Sequence, residues 1–132
     1  MIGLDTNVLI RVFVEDDAGQ CRAARALVAR SGPGDLLVSV LVLAEFVRVL
    51  RRRLKKSLAD TLEILDRIVE APEIRFDDRA ALDDALSVYR QGRSEFSDCL
   101  IVAIARRAGA DRVATFDREA ATVIPGAFYL EH

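Results

Sequence analysis

Short apolar runs alternate along the chain with longer stretches whose apolar residues recur every three to four positions. That alternation restricts the fold more than any other feature of the sequence. Ile2 to Asp5 reads as a short buried strand, followed by a helix through about Val14. Ala24, Leu27 and Val28 place a helix over Asp17 to Arg30, stopped by Gly32-Pro33-Gly34. Leu36 to Val38 is a second strand, and Ser39 begins a long helix to about Leu54 with Val40, Leu43, Ala44, Val47 and Leu50 on one stripe. Ser57 suits the N-cap of the next helix, through Leu62, Leu65 and Ile68, which Pro72 ends. Ile74 to Phe76 is a third strand, and Arg79 to Gln91 a helix closed by Gly92. Ser94 or Ser97 caps a helix over Asp98 to Ala108, with Gly109 just past its end. Arg112 to Thr115 and Ala127 to Leu130 complete the strands.

Strands that alternate with helices over short connections predict an α/β fold with a parallel sheet covered on both faces. Its 132 residues suffice for one domain with a single core. That domain is expected over residues 1–129, because Leu130-Glu131-His132 reads as the remnant of a cloning tag. His132 is the only histidine, which argues against histidine-based catalysis. Cys21 and Cys99 lie in apolar segments without metal-ligand spacing and read as buried thiols of a reducing cytoplasm. The first apolar run is interrupted by Asp5 and Arg11 and is not read as a leader. Nothing approaches the ~20 apolar residues of a membrane span, so a cytoplasmic protein without membrane contact is expected.

In open parallel sheets, ligands collect beyond the carboxyl ends of the strands. Asp5 ends the first strand and Asp117 follows the fourth. Asp98 falls in the first turn of its helix, and Glu45 sits in the apolar run "VLVLAEFV". Four acids from four distant segments can meet at one sheet edge. Crowded carboxylates repel, and in water-poor surroundings some would take up protons unless a cation joins them. Hard ions such as Mg²⁺ select oxygen ligands and remain partly hydrated. Each acid also has a plainer role: an N-cap for Asp5, a surface pair with Arg48 for Glu45, a helix-dipole partner for Asp98, a turn residue for Asp117.

The stretches "LDTNVLIR", "VLAEFVRVL", "FSDCLIVAIA" and "VATFDRE", spread over almost the whole chain, resemble the PIN-domain ribonucleases. In size and order the chain looks like their VapC-type toxins, found in bacterial toxin–antitoxin pairs. The resemblance implies a three-layer α/β/α sandwich with a central, mainly parallel sheet of four to five strands. It carries the family's metal-binding acids to Asp5, Glu45, Asp98 and Asp117, and its accompanying polar positions to Thr6, Asn7 and Thr115. Glu95 competes for the third acid, but Phe96-Ser97-Asp98 fits the motif's register. The implied activity is endonucleolytic hydrolysis of RNA by a water activated on one or two Mg²⁺ or Mn²⁺ ions. Asp5, Glu45 and Asp98 would hold the main ion, and Asp117 a second ion or its water shell. A VapB-type antitoxin and a homodimeric state are implied partners.

Acids outnumber bases, 21 to 19, which is not the usual footprint of a nucleic-acid binder. With four acids set aside at a metal site, the balance becomes 19 bases to 17 acids. The run "RVLRRRLKK" adds a local cationic segment, in which Arg48, Arg51, Arg52 and Arg53 are expected to grip the RNA backbone. Its plainer reading is a solvated helix end, where positive charge suits the dipole. Two other functions stand beside the ribonuclease. One is another metal-dependent nuclease or phosphohydrolase acting on DNA; the other is a non-catalytic binding module with a degenerate site.

Overall fold

A computed structural model describes residues 1–14 and 17–132. They form two compact units, Met1–Asp77 and Asp78–His132. The first unit is built on three strands, β1 (Ile2–Gly3), β2 (Leu36–Val38) and β3 (Ile74–Phe76), in the order β1-β2-β3. Both pairings are parallel, with Ile2 opposite Leu36 and Leu36 opposite Ile74. The sequence between successive strands supplies the crossovers: α1 (Thr6–Phe13) and α2 (Ala18–Ala29) before β2, then α3 (Val40–Arg48) and α4 (Leu58–Glu70) before β3.

Apolar periodicity accounts for the packing of this unit. Leu9, Leu36, Val38, Leu43, Phe46, Leu50, Leu65 and Ile68 have no exposed surface. Each side chain of that size contributes roughly 1.5–3 kcal/mol by leaving water. The helices start where a short polar side chain takes up a free N–H of the first turn. Asp5, Asp17, Ser39 and Ser57 accept from Val8, Gln20, Val42 and Asp60 respectively. Asp77, just past β3, accepts the Val40 N–H at 2.9 Å and so serves the same end of α3.

Two expectations for this unit differ from the structure. The first strand is not buried: Ile2 keeps 51% of its surface, and enclosure begins only at Leu4. The long helix does not run unbroken to Leu54. It changes at Val49 into a π-helical turn, Val49–Arg53, closed by the Leu54 N–H on Val49 O at 2.9 Å. One extra residue per turn is accommodated there without moving Leu50 out of the core.

The second unit contains α5 (Arg79–Tyr89), α6 (Phe96–Arg107), β4 (Val113–Thr115), α7 (Arg118–Val123) and β5 (Ala127–Tyr129). β4 and β5 pair in parallel, Val113 opposite Ala127, with α7 as the crossover. All five predicted strands are therefore formed, and all their pairings are parallel, in sheets of three and two. α5 and α6 bury Leu82, Ala85, Leu86, Tyr89, Phe96, Cys99 and Leu100, with Tyr89 and Phe96 edge to face at 5.2 Å. Gly109, at φ +108°, ends α6. Its N–H bonds Arg106 O and the next N–H bonds Ala105 O, the double closure a left-handed residue permits. No helix among the described residues is long and apolar enough to cross a membrane.

Candidate active site

In the first unit the motif acids lie at the start of α1 and within α3. Asp5 has extended backbone and caps α1, its Oδ1 accepting the Val8 N–H at 3.0 Å. Asp5, which the sequence placed at the end of a buried strand, is exposed. Glu45 is also exposed, because α3 turns Leu43, Phe46 and Val47 inward and leaves Leu41 and Glu45 outside. It does not stand apart from the other motif residues. Thr6 Oγ1 donates to Glu45 Oε2 at 2.6 Å, a short charge-assisted bond that joins α1 to α3. Asn7, beside Thr6 in the first turn of α1, is exposed.

In the second unit Asp98 and Asp117 face one pocket of about 420 Å³, whose wall also carries Glu95, Glu119, Ser94 and Arg93. Asp98 comes from the first turn of α6 and Asp117 from the loop between β4 and α7. Asp117 is held twice. Its Oδ1 accepts the Ala120 N–H at 3.0 Å, capping α7, and its own N–H donates to Thr115 Oγ1 at 3.0 Å. Thr115 thus has the supporting place that the sequence pattern assigned to it.

The cap of α6 differs from expectation. Glu95 occupies the N-cap position and makes no capping bond, so neither Ser94 nor Ser97 plays that part. Ser94 Oγ lies 3.1 Å from Cys99 Sγ instead. Burial pushes the Cys99 thiol above its ordinary range; the Ser94 bond opposes the shift and the Asp98 charge adds to it. A neutral, buried thiol is a packing group here, as the sequence reading held.

The motif residues are thus brought together as Thr6 with Glu45 in one unit and as Asp98 with Asp117 in the other. Among the described residues no three His, Cys, Asp or Glu side chains form a ready-made metal cluster. The donor chemistry nevertheless suits Mg²⁺ or Mn²⁺, since the pocket wall offers hard carboxylate oxygens. Ions of this kind are commonly held by one or two carboxylates and several waters. The arginines of the basic run are exposed: Arg48 ends α3, and Arg51, Arg52 and Arg53 lie in the π-helical turn. Arg51 also donates to Lys56 O at 3.2 Å. Sequence reasoning missed Arg93 and Glu119 as pocket residues. Glu119 lies inside the quoted "VATFDRE", two positions after Asp117, and that spacing was the available signal.

The structure is a parallel α/β fold in which the motif acids Asp98 and Asp117 line one polar pocket together with Glu95 and Glu119. The sequence model of the PIN domain matches residues 2–124, and the chain belongs to the PIN-domain family. No curated protein matches it. Solved structures resemble it at low identity, the following three among them. One is a toxin–antitoxin complex from Klebsiella pneumoniae, at 17% identity over 96% of this chain and 93% of that one, with a TM-score of 0.37. Another is VapC20 of Mycobacterium tuberculosis, a sarcin-ricin loop cleaving toxin, at 17% over 92% and 94%, TM-score 0.44. The third is VapBC2 from Rickettsia felis bound to a DNA fragment from its promoter, at 19% over 98% of both chains, TM-score 0.38.

Proposed function

We propose that this protein is a metal-dependent endoribonuclease, the toxin of a toxin–antitoxin pair, which hydrolyses RNA phosphodiester bonds with water as the nucleophile. The observation that carries the reading is the pocket in which Asp98 and Asp117, motif acids from separate segments, share one wall. Membership of the PIN-domain family supports it, and so does the order of the four acid-bearing motifs along the chain.

In this reading Asp5, Glu45, Asp98 and Asp117 hold one or two Mg²⁺ or Mn²⁺ ions. A bound ion supplies water activation near neutral pH and offsets charge on the phosphoryl oxygens. The chain's own residues arrange the acids. Thr6 orients the Glu45 carboxylate through its 2.6 Å bond, and Thr115 fixes the backbone of Asp117. Asn7 adds an amide beside Thr6, able to orient Asp5 or a water. Arg48, Arg51, Arg52 and Arg53 meet the RNA backbone without reading sequence. A VapB-type antitoxin that presents a basic side chain to the acids is the expected inhibitor, and a homodimer is the expected assembly.

The test offers the purified protein equal amounts of labelled single-stranded RNA and DNA with Mn²⁺. Manganese binding is measured in parallel by calorimetry. RNA cleavage with metal uptake is expected. Cleavage of DNA alone would replace this reading with a DNA nuclease, and absence of metal uptake with a binding module.

A further inference from the structure

We propose that Arg93 is the phosphate-binding residue of this pocket, held ready by Glu119. The inference rests on the ribonuclease reading above and adds a substrate contact to it. Among the described residues the pocket wall bears four carboxylates, Glu95, Asp98, Asp117 and Glu119, and Arg93 is its one cationic residue. An anionic substrate approaching such a wall meets repulsion everywhere except at that guanidinium and at any bound metal.

The placement of Arg93 is set by its neighbours. Gly92, at φ +77°, makes the turn that ends the α5 segment, and Ser94 is tied to the buried Cys99 on the other side. Arg93 lies between these two residues, and its side chain lines the pocket. There it faces Glu119, with Nε 3.8 Å from Oε1. Both side chains are open to water, at 60% and 64%, so this contact is long, screened and easily exchanged. A phosphodiester offers the guanidinium two oxygens in the planar geometry it fits best. Glu119 is then a placeholder: it holds the arginine in the pocket until RNA takes over the fork.

The test measures binding of a fluorescent single-stranded RNA by anisotropy, in EDTA, over a range of salt concentrations. Manganese affinity is measured separately by calorimetry. Arg93→Ala is expected to weaken RNA binding about tenfold, the loss of one charge-assisted contact, and to lower the salt slope by about 0.7, one phosphate on a single strand. Its manganese affinity should stay at the wild-type value. Arg93→Lys should recover the salt slope and only part of the affinity, because an ammonium keeps the charge without the fork. Glu119→Gln should bind RNA more tightly, by a few-fold.

Wild-type manganese uptake together with an unchanged RNA affinity and slope in Arg93→Ala overturns the role of Arg93 alone. Failure of the wild-type protein to take up manganese or cleave RNA overturns the ribonuclease reading itself. Equal losses in Arg93→Ala and Arg93→Lys, with a lower melting temperature in both, would show that Arg93 only supports the fold and would overturn the proposal.

Discussion

The Thr6 hydroxyl donates a 2.6 Å hydrogen bond to Glu45, closing a link across 39 residues between the first turn of α1 and the middle of α3. A carboxylate with one oxygen fixed in this way has less freedom to lose when it takes up a cation. Groups that orient a metal ligand typically change metal affinity by about 10–100-fold when removed. Thr6→Val should therefore weaken manganese binding within that range in a calorimetric titration, and Thr6→Ser should preserve it. Equal affinities in wild type and Thr6→Val would remove Thr6 from the site.

Asp117 caps α7 and is proposed to hold metal, and one pair of substitutions separates the two roles. Its Oδ1 caps α7, so Asp117→Ala should cost about 1 kcal/mol in chemical denaturation. Asp117→Asn keeps a good cap and should cost little stability. Both should lose metal-dependent RNA cleavage, since both lack the carboxylate. A fully active Asp117→Asn would leave Asp117 as a helix cap and nothing more.

Exchange of Arg51, Arg52 and Arg53 for Glu tests the basic turn. All three are exposed on the π-helical turn, so the change should leave the fold intact. RNA binding should weaken and its dependence on salt should flatten, as fewer counterions are displaced. An unchanged slope would assign the run to a solvated helix end.

Thr61 is a buried polar residue of α4 whose Oγ1 has no hydrogen-bond partner among the described residues. An unpaired buried hydroxyl costs about 1–3 kcal/mol. Thr61→Val keeps the shape and removes the hydroxyl, so the unfolding free energy should rise by up to about 1 kcal/mol. A clear fall would show that the hydroxyl finds a partner in solution.

Much of this molecule could be read before its coordinates. β2 and β3 fall on the predicted residues, and Ser39 and Ser57 cap the helices that follow them. Strong local signals fix these features: a β-like apolar run in one case, a hydroxyl before a periodic stretch in the other. α7 was not legible, because six residues hold too little periodicity to distinguish a helix from a turn. The π-helical turn escaped for a related reason, since one added residue leaves the apolar stripe nearly unchanged. Apolar neighbours in the sequence do not bury Glu45. A helix buries one face only, and Leu41 shows that an aliphatic side chain can share the outer face with an acid. The four acids were visible as residues, whereas the contacts of Thr6 with Glu45 and of Arg93 with Glu119 depend on tertiary folding.

The most direct test of the account is the cleavage of labelled RNA by the purified protein with Mg²⁺, with Mn²⁺ and with EDTA, alongside Asp5→Asn and Asp98→Asn. Asp5→Asn retains a capping side chain for α1, so loss of activity in that variant would reflect loss of the carboxylate. The expected result is cleavage by the wild-type protein with either metal, none in EDTA, and none in either variant. Cleavage that survives chelation, or that persists in Asp98→Asn at the wild-type rate, would contradict it.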